Sequence, residues 1–600
     1  MELMLDPGAF VNSDGLDGHG IPLFLSFLIT LSGTVLFTAV IITVLGNILS
    51  NRISEFKKGL VRYDFDHHIL IIGANSMLVN MLKEVAEDKE LSKKQVVVLT
   101  NSDTEALRDS ISVKFPGYTS KLDVMFMYGA REQEEALKYV QVDEADVIYI
   151  LGEDDEIDHD SKNIKCWKSI CKLCSNINRS VPCYLVVDRM SSFHVFQFSN
   201  NGENNNIKLT VVNSLENWAQ RVLVARDYTE GLKYPSIIGS NSEEYAKDVR
   251  FVVFGMTQMA YAMATTVAHI VHKPHFKCGA DAKRTKITFI MPDILQEMNF
   301  FKGHYENLFK LSHSSYSQYE NGEWKTEKYL PDEKYGDFLD VEWEFVDGSI
   351  EDGYIRDLLC KYANNKDEKL SIAICNHRTE GNISASLYMP GEIYEKGVPV
   401  FVYQPNEGDI LKLANLSVRY GNVYPFGMKQ ECYDPLFTKR LYKAKRIKYL
   451  YSQQDCNQIY AGMPANPELD ALWDTIQSYV LMYSNIYAAN SIPVKQELMG
   501  RNPDNPDMCS SFTDEEVECL AEMEHNRWNM EKLLMGFSAL TTDQRKELVE
   551  LSKVDVKKFR LINTELKETR FKHKDITPYC DLPEDSKEYD RAIVRNIMDV

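Results

Sequence analysis

The chain has 600 residues, 44% of them hydrophobic and 26% charged, with 30 Gly and 20 Pro. It is neither low-complexity nor disordered, and its length asks for about three to five domains. A formal net charge of −21 argues against nucleic acid as a partner, because such partners need a concentrated basic surface. An anionic ligand would have to meet a local basic pocket.

Residues 1–20 carry Glu2, Asp6, Asp14 and Asp17 but no Lys or Arg, unlike a signal peptide. From Gly18 to Asn51 there is no Asp, Glu, Lys or Arg. The run Ile21 to Leu49 is long enough to cross about 30 Å of hydrocarbon, which predicts a transmembrane helix over 21–50. Arg52, Lys57, Lys58 and Arg62 follow in a basic linker, 51–63. The positive-inside rule then predicts a single-pass protein of the inner (cell) membrane, with residues 1–20 outside and the bulk in the cytoplasm.

Within the span Ser26, Thr30, Thr34 and Thr38 step by four, and Thr43, Asn47 and Ser50 form a second polar line. Thr30, Thr34, Thr38 and Asn47 are pore-lining candidates in an oligomer. Two alternatives stand beside this: hydroxyls bonded back to their own helix carbonyls, or small residues with Gly33 and Gly46 packing neighbouring helices. Asn47 is the least comfortable of them in lipid.

His67 to Asn75 reads as a buried strand ending in a Gly turn, followed by a helical pattern from Met77 to Ala86. Apolar runs at Val96–Leu99, Val124–Tyr128, Val147–Leu151 and Tyr184–Val187 continue a βα alternation, which predicts a parallel Rossmann-like sheet over 64–240. The pattern restarts at Phe251, with runs at Ile287–Met291, Val341–Phe345, Leu370–Cys375 and Val400–Tyr403. This predicts a second such domain over 247–430, a duplication. An insertion of about forty residues after Asp293 (about 294–338) has few periodic apolar positions and reads as a surface excursion.

Cys166, Cys171, Cys174 and Cys183 begin with an iron–sulfur-like spacing. Ile164, Trp167, Cys171 and Cys174 recur at three- and four-residue steps, so the group reads as the buried face of a helix, with no metal and no disulfides. The dinucleotide fingerprint Gly-x-Gly-x-x-Gly is incomplete in both domains. The first turn keeps Gly73 and Asn75, with Asn101 where the ribose acid is expected; the second keeps Gly255 and Thr257, with Asp293 in a plausible acid position. Gly73, Asn75, Gly255, Thr257 and Asp293 are weak nucleotide-binding candidates, and NAD(H) is disfavoured as a cofactor.

The strings Tyr128-Gly129-Ala130 and Ala145-Asp146-Val147-Ile148-Tyr149-Ile150-Leu151-Gly152-Glu153-Asp154 resemble the RCK/TrkA-N modules that regulate potassium channels and transporters, with the Castor/Pollux type of ion channel the nearest likeness. The resemblance covers about residues 60–430. It implies modules that pair into a cytoplasmic ring whose ligand-driven change of shape moves membrane helices. The chain lacks that family's further membrane helices and selectivity filter.

After a linker, 431–454, residues 455–600 read as an all-α domain: an amphipathic helix from Leu469 to Ala489, then a capping box at Thr513-Asp514-Glu515-Glu516 opening a helix to Gly536. Glu524-His525-Asn526-Arg527-Trp528, Thr577-Pro578-Tyr579-Cys580-Asp581-Leu582-Pro583 and Tyr589-Asp590-Arg591 resemble the RyR repeat of ryanodine receptors and bacterial proteins. That resemblance implies recognition of a nucleotide-derived signal, in bacteria within nucleotide signalling and phage defence. Asn485, Glu524, His525, Arg527, Trp528, Tyr579, Asp590 and Arg591 are the ligand-site candidates. Arg and Trp suit phosphate pairing and base stacking, while the alternative is a core Trp528 with Arg527 paired to Glu524 or Asp590.

No Walker loop, His-Glu-x-x-His or Gly-x-Ser-x-Gly motif occurs, so no enzymatic activity is expected. The expected function is a ligand-gated membrane effector or ion channel, a homo-oligomer (a dimer of dimers or a tetramer) answering a small nucleotide-derived messenger. The alternative is a regulatory RCK subunit of a potassium transporter responding to NAD(H) or an ion.

Overall fold

The computed structural model describes residues 20–154, 156–197, 206–226, 233–239, 242–273, 276–277, 282–405, 409–428, 436–455, 460, 462–476, 478–501 and 511–600. The predicted N-terminal segment before residue 20 lies outside them, as do parts of the 431–454 linker.

Helix α1 (Gly20–Lys57) runs for 38 residues, is long and apolar enough to cross a membrane, and has nearly all its described apolar side chains exposed. Its hydroxyls turn inward on the helix itself. Thr34 Oγ1 donates to the Thr30 carbonyl at 2.8 Å and Thr43 Oγ1 to Ala39 at 2.7 Å, so part of the polar line is satisfied without a pore. Thr38 and Asn47 are exposed.

Six strands, β1 (Ile69–Ile72), β2 (Val96–Thr100), β3 (Val124–Tyr128), β4 (Val147–Ile150), β5 (Val181–Val187) and β6 (Ile207–Asn213), form an all-parallel sheet in the order β3-β2-β1-β4-β5-β6. Strands β1 and β2 are buried at every position, which is why they read as unbroken apolar runs. The second sheet contains β7 (Asp248–Phe254), β8 (Thr285–Met291), β9 (His313–Glu320), β10 (Glu323–Tyr329), β11 (Val341–Asp347), β12 (Glu368–Ile374), β13 (Val400–Tyr403) and β14 (Val423–Phe426), ordered β10-β9-β11-β8-β7-β12-β13-β14. Remove β9 and β10 and the order repeats that of the first sheet, the structural form of the duplication.

The insertion after Asp293 is not the surface excursion expected from its composition. It supplies a helix that buries Met298 and Phe301, then β9, parallel to β11, and the antiparallel β10. Its apolar positions are few because only one face of the hairpin meets the core. Cys166 in helix α2 (His159–Leu173), Cys174 just after it and Cys183 in β5 are fully buried, and burial pushes their thiols upward; the helix packs through Asn163, Cys166 and Ile170, while Ile164, Trp167 and Cys171, expected on the buried face, are half-buried.

The C-terminal region is helical, but the single helix expected over 469–489 is two: Asn466–Trp473 and Tyr479–Asn490. The second is buried on nearly every side rather than amphipathic. Three of its tyrosines fasten it to the first sheet and its following helix. The hydroxyls of Tyr479 and Tyr483 donate to the β6 carbonyls of Leu209 (3.2 Å) and Val211, and that of Tyr487 donates to Glu216 at 2.6 Å. A four-residue helix step of about 6.0 Å nearly matches a two-residue strand step of about 6.6 Å, so the spacing fits the strand edge.

His68, at the foot of β1, is fully buried beside Phe65, and burial lowers its pKa from 6.5 to about 4. Between those values the unfolded chain holds the proton and the fold does not. Stability therefore rises with pH across this window and is lost as pH falls from 6.5 to 4, by on the order of 3 kcal/mol for this one group. Thermal melts of the full chain should show a lower Tm at pH 4.5 than at pH 7, and His68→Phe should shrink that difference.

Candidate functional site

In the C-terminal region, helices α3 (Leu436–Asp455), α4 (Tyr479–Asn490), α5 (Asp514–Leu534), α6 (Val556–Glu568) and α7 (Glu584–Arg595) surround a cavity of about 460 Å³. Such a volume suits a small organic ligand. Helix α5 begins with the expected capping box, Thr513 and Glu516 each bonded to the other's backbone N–H.

One wall of the cavity is aromatic. Trp528 stacks on His525 with ring centroids 5.8 Å apart, and His573 meets its edge at 4.7 Å. Tyr451 and Tyr589 lie across the cavity, 6.2 Å from each other. The opposite feature is charge: Lys448, Lys532, Lys567 and Lys574, from four separate elements, converge on one cavity of an acidic protein.

Lys574 pairs with Asp575 at 2.6 Å and Lys532 with Glu531 at 2.8 Å. Among the described residues no carboxylate lies within ion-pair distance of Lys448 or Lys567. Burial, reinforced by Lys574 and Lys532, lowers the Lys567 pKa. Burial and the same lysines drive His573 well below its usual range, leaving a neutral imidazole. Asn485 donates to the Leu481 carbonyl at 2.7 Å, while its buried Oδ1 has no partner. The site thus offers surplus cations, flat aromatic surface and an open acceptor, the complement of an anion bearing an aromatic group.

Of the residues singled out in the sequence, Asn485, His525, Trp528 and Asp590 line this cavity. His525 Nε2 lies 2.8 Å from the Thr577 carbonyl, and its Nδ1 lies 3.4 Å from Asp590, whose carboxyl burial pushes upward.

Arg527 and Glu524 are elsewhere. Both are completely buried behind the wall. Arg527 binds Glu524 at 2.9 Å and Glu531 at 2.5 Å, and Lys495 binds Glu524 at 2.6 Å. Burial alone would raise both carboxyls, but the cations outweigh it and hold Glu524 low and Glu531 down at about 2. Arg527 therefore braces α5 instead of facing a ligand. Tyr579 donates to Glu518 at 3.1 Å, and Arg591 pairs with Glu518 and Glu584 on the outer side.

Lys448, Tyr451, Lys532, Lys567, Lys574 and the carboxylate Asp575 are among the wall residues the sequence reading missed. The one local signal was Lys572-His573-Lys574, a dense basic string in an acidic chain.

The backbone donors of the first Rossmann turn are already engaged, although Asn75, Ser76, Glu153 and Asp154 line a second cavity of about 350 Å³. Gly73 adopts φ +96°, and a Cβ there would fall 2.2 Å from the Gly152 carbonyl oxygen. The donors that would cradle a pyrophosphate are spent on Glu153, whose carboxylate accepts from the amides of Ala74 (3.1 Å) and Asn101 (3.2 Å) and the hydroxyls of Thr100 (2.7 Å) and Ser102 (3.1 Å). Asp154 accepts from the Ser76 amide at 2.8 Å, and Asn75 donates to the Leu151 carbonyl at 3.2 Å. Two carboxylates stand where phosphates would.

In the second turn Gly255 has φ +90°, and Thr257 caps its helix through Ala260 N–H while donating to the Cys375 carbonyl at 2.8 Å. Asp293, exposed at the end of β8, donates its N–H to Asp347 at 3.1 Å.

Residues 64–181 match the family model described as the calcium-activated potassium channel slowpoke-like RCK domain. No curated protein matches the chain. Among solved structures, the GsuK channel bound to NAD is 12% identical with a TM-score of 0.38, covering 75% of this chain and 77% of its own. GsuK bound to ADP is 13% identical at 0.34, covering 71% and 83%. The human SLO3 gating ring is 10% identical at 0.36, covering 62% and 84%.

Proposed function

We propose that this chain is a ligand-gated membrane effector or ion channel of the inner membrane, and that the C-terminal cavity is its sensor. The observation that carries the reading is the convergence of four lysines with Trp528 on one cavity of a protein with net charge −21. Half-buried cations without a carboxylate partner among the described residues, Lys448 and Lys567, raise the energy of the empty state and are relieved by an anion. A small phosphate-bearing, nucleotide-derived messenger supplies both the charge and a base for the aromatic wall. The RyR-repeat resemblance of the surrounding residues and its association with phage defence point the same way.

Two RCK-like modules then connect sensor to membrane helix in a homo-oligomer, a dimer of dimers or a tetramer, without catalysis. The ligand can shift the equilibrium only by its differential affinity for the two states; moving 1:99 to 99:1 takes about 5.5 kcal/mol, which several sites can share. Of the alternative, a regulatory subunit of a potassium transporter responding to NAD(H) or an ion, the NAD(H) form is disfavoured by Glu153, which takes up donors of the first turn.

The test uses full-length protein in liposomes loaded with a self-quenching dye. A phosphorus-containing, 260 nm-absorbing extract from cells under phage challenge should release dye, and Lys567→Met with Lys574→Met should abolish release. Release that persists in that variant, or that NAD alone triggers, overturns the proposal.

A further inference from the structure

The insertion that rebuilt the second sheet also leaves that sheet with an open edge. Strand β10 is last in the order, and Lys325, Thr326, Glu327 and Lys328 are all exposed. Its hairpin turns through two residues, Asn321 (φ 52°) and Gly322 (φ 88°), the geometry of a type I′ turn. Such a turn makes Glu320 and Glu323 a hydrogen-bonded pair of the antiparallel ladder. Alternation then turns the amides and carbonyls of Lys325 and Glu327 toward β9, and those of Trp324, Thr326 and Lys328 outward. The edge presents a row of backbone donors and acceptors with no bulge or proline to spoil it.

We propose that β10 pairs antiparallel with β10 of a second copy of this chain, about a two-fold axis through Thr326. The argument is charge register. Centred there, Lys325 faces Glu327 of the other copy twice, and Lys328 faces Trp324 twice, an ion pair and a cation–π pair on opposite faces. Centring on Lys325 would set that lysine against itself and Glu323 against Glu327; centring on Glu327 would oppose two glutamates. Lysines on an edge ordinarily repel another strand, and Lys325 already pairs with Glu320 of its own hairpin, but the glutamate two positions along gives it a second carboxylate across the two-fold.

The hairpin is also stiff before it pairs. Trp324 packs on Tyr319 (5.3 Å) and Tyr354 (5.7 Å), and these two tyrosines stack at 4.6 Å. Ser317 and Thr326 hydroxyls bond across the strands at 2.9 Å. Little conformational entropy is lost on pairing, and the two second sheets become continuous. The contact does not depend on any ligand.

The proposal is tested by disulfide trapping of the full chain in isolated membranes. Facing Thr326 residues would lie about 5.5 Å apart between Cα atoms, inside the disulfide range. Thr326→Cys should give a covalent dimer on mild oxidation, well above the yield from the parent chain, where Cys580 is the exposed thiol among the described residues, and from Lys366→Cys. In the Thr326→Cys background, Lys325→Glu should cut the yield about tenfold, because both facing pairs become repulsive. Adding Glu327→Lys should restore it. Restoration in the swapped chain also shows that the hairpin still folds. A Thr326→Cys yield no higher than either control, or one indifferent to Lys325→Glu, overturns the proposal.

Discussion

Arg527→Ala should unfold the C-terminal helical region rather than blunt ligand sensing. The guanidinium is fully buried between Glu524 and Glu531, both also fully buried. Removing it leaves two carboxylates in the interior with only Lys495 and Lys532 to offset them. Breaking a buried ion network from one side costs about 3–5 kcal/mol, a large share of a typical domain's stability. The measurement is a melt followed by limited proteolysis, with cleavage expected first between residues 455 and 600. Arg527→Lys should recover only part of the loss, since an ammonium cannot hold both carboxylates in one plane. A variant that melts like the parent would show that the network carries no weight.

Lys567→Met combined with Lys574→Met should weaken ligand binding by about a thousandfold, while Lys567→Met alone, which leaves the Lys574–Asp575 pair in place, should give an empty protein as stable as the parent or more so. Each charge-assisted contact is worth about 1.5–3 kcal/mol, and two together give that loss. The stability half follows from sign. Burial and neighbouring lysines lower the Lys567 pKa, so its charge destabilises the fold wherever it is protonated, and an uncharged side chain of similar length removes that strain. Titration calorimetry and a Tm for the ligand-free protein measure the two halves. A fall in both affinity and Tm would mark the lysines as structural supports and move the sensor elsewhere.

The elements that could be read from the sequence are those whose pattern is local. β1 and β2, buried on both faces, appear as apolar runs; Gly73 and Gly255 mark tight turns; the Thr513 capping box opens its helix where expected. The hairpin of β9 and β10 escaped because one-sided burial leaves little apolar signal among its Tyr, Ser and Lys residues. Glu524, Arg527 and Glu531 share a helix face by their spacing, but spacing does not say whether that face meets water or core. Trp528 was legible as a candidate, whereas Lys448 and Lys567 reach the cavity only through the tertiary fold, from segments about sixty-five residues to the N-terminal side of α5 and about thirty to its C-terminal side. The engagement of the first turn's donors by Glu153 was equally hidden, since a glutamate after a strand reads the same whether it points outward or back into the Gly turn.

The ladder of Tyr479, Tyr483 and Tyr487 against β6 and Glu216 bears on how such a chain evolves. Sensor modules are commonly exchanged between proteins as cassettes joined by a linker. Here the border runs through hydrogen bonds that seal the outer edge of a sheet belonging to the other module. A recombinant carrying a foreign C-terminal region would inherit bare β6 carbonyls and an exposed strand, a seed for aggregation. Descendants with a new C-terminal region must therefore keep the tyrosine spacing or replace β6 with it, so the two regions should be inherited together even while the residues lining the cavity diverge.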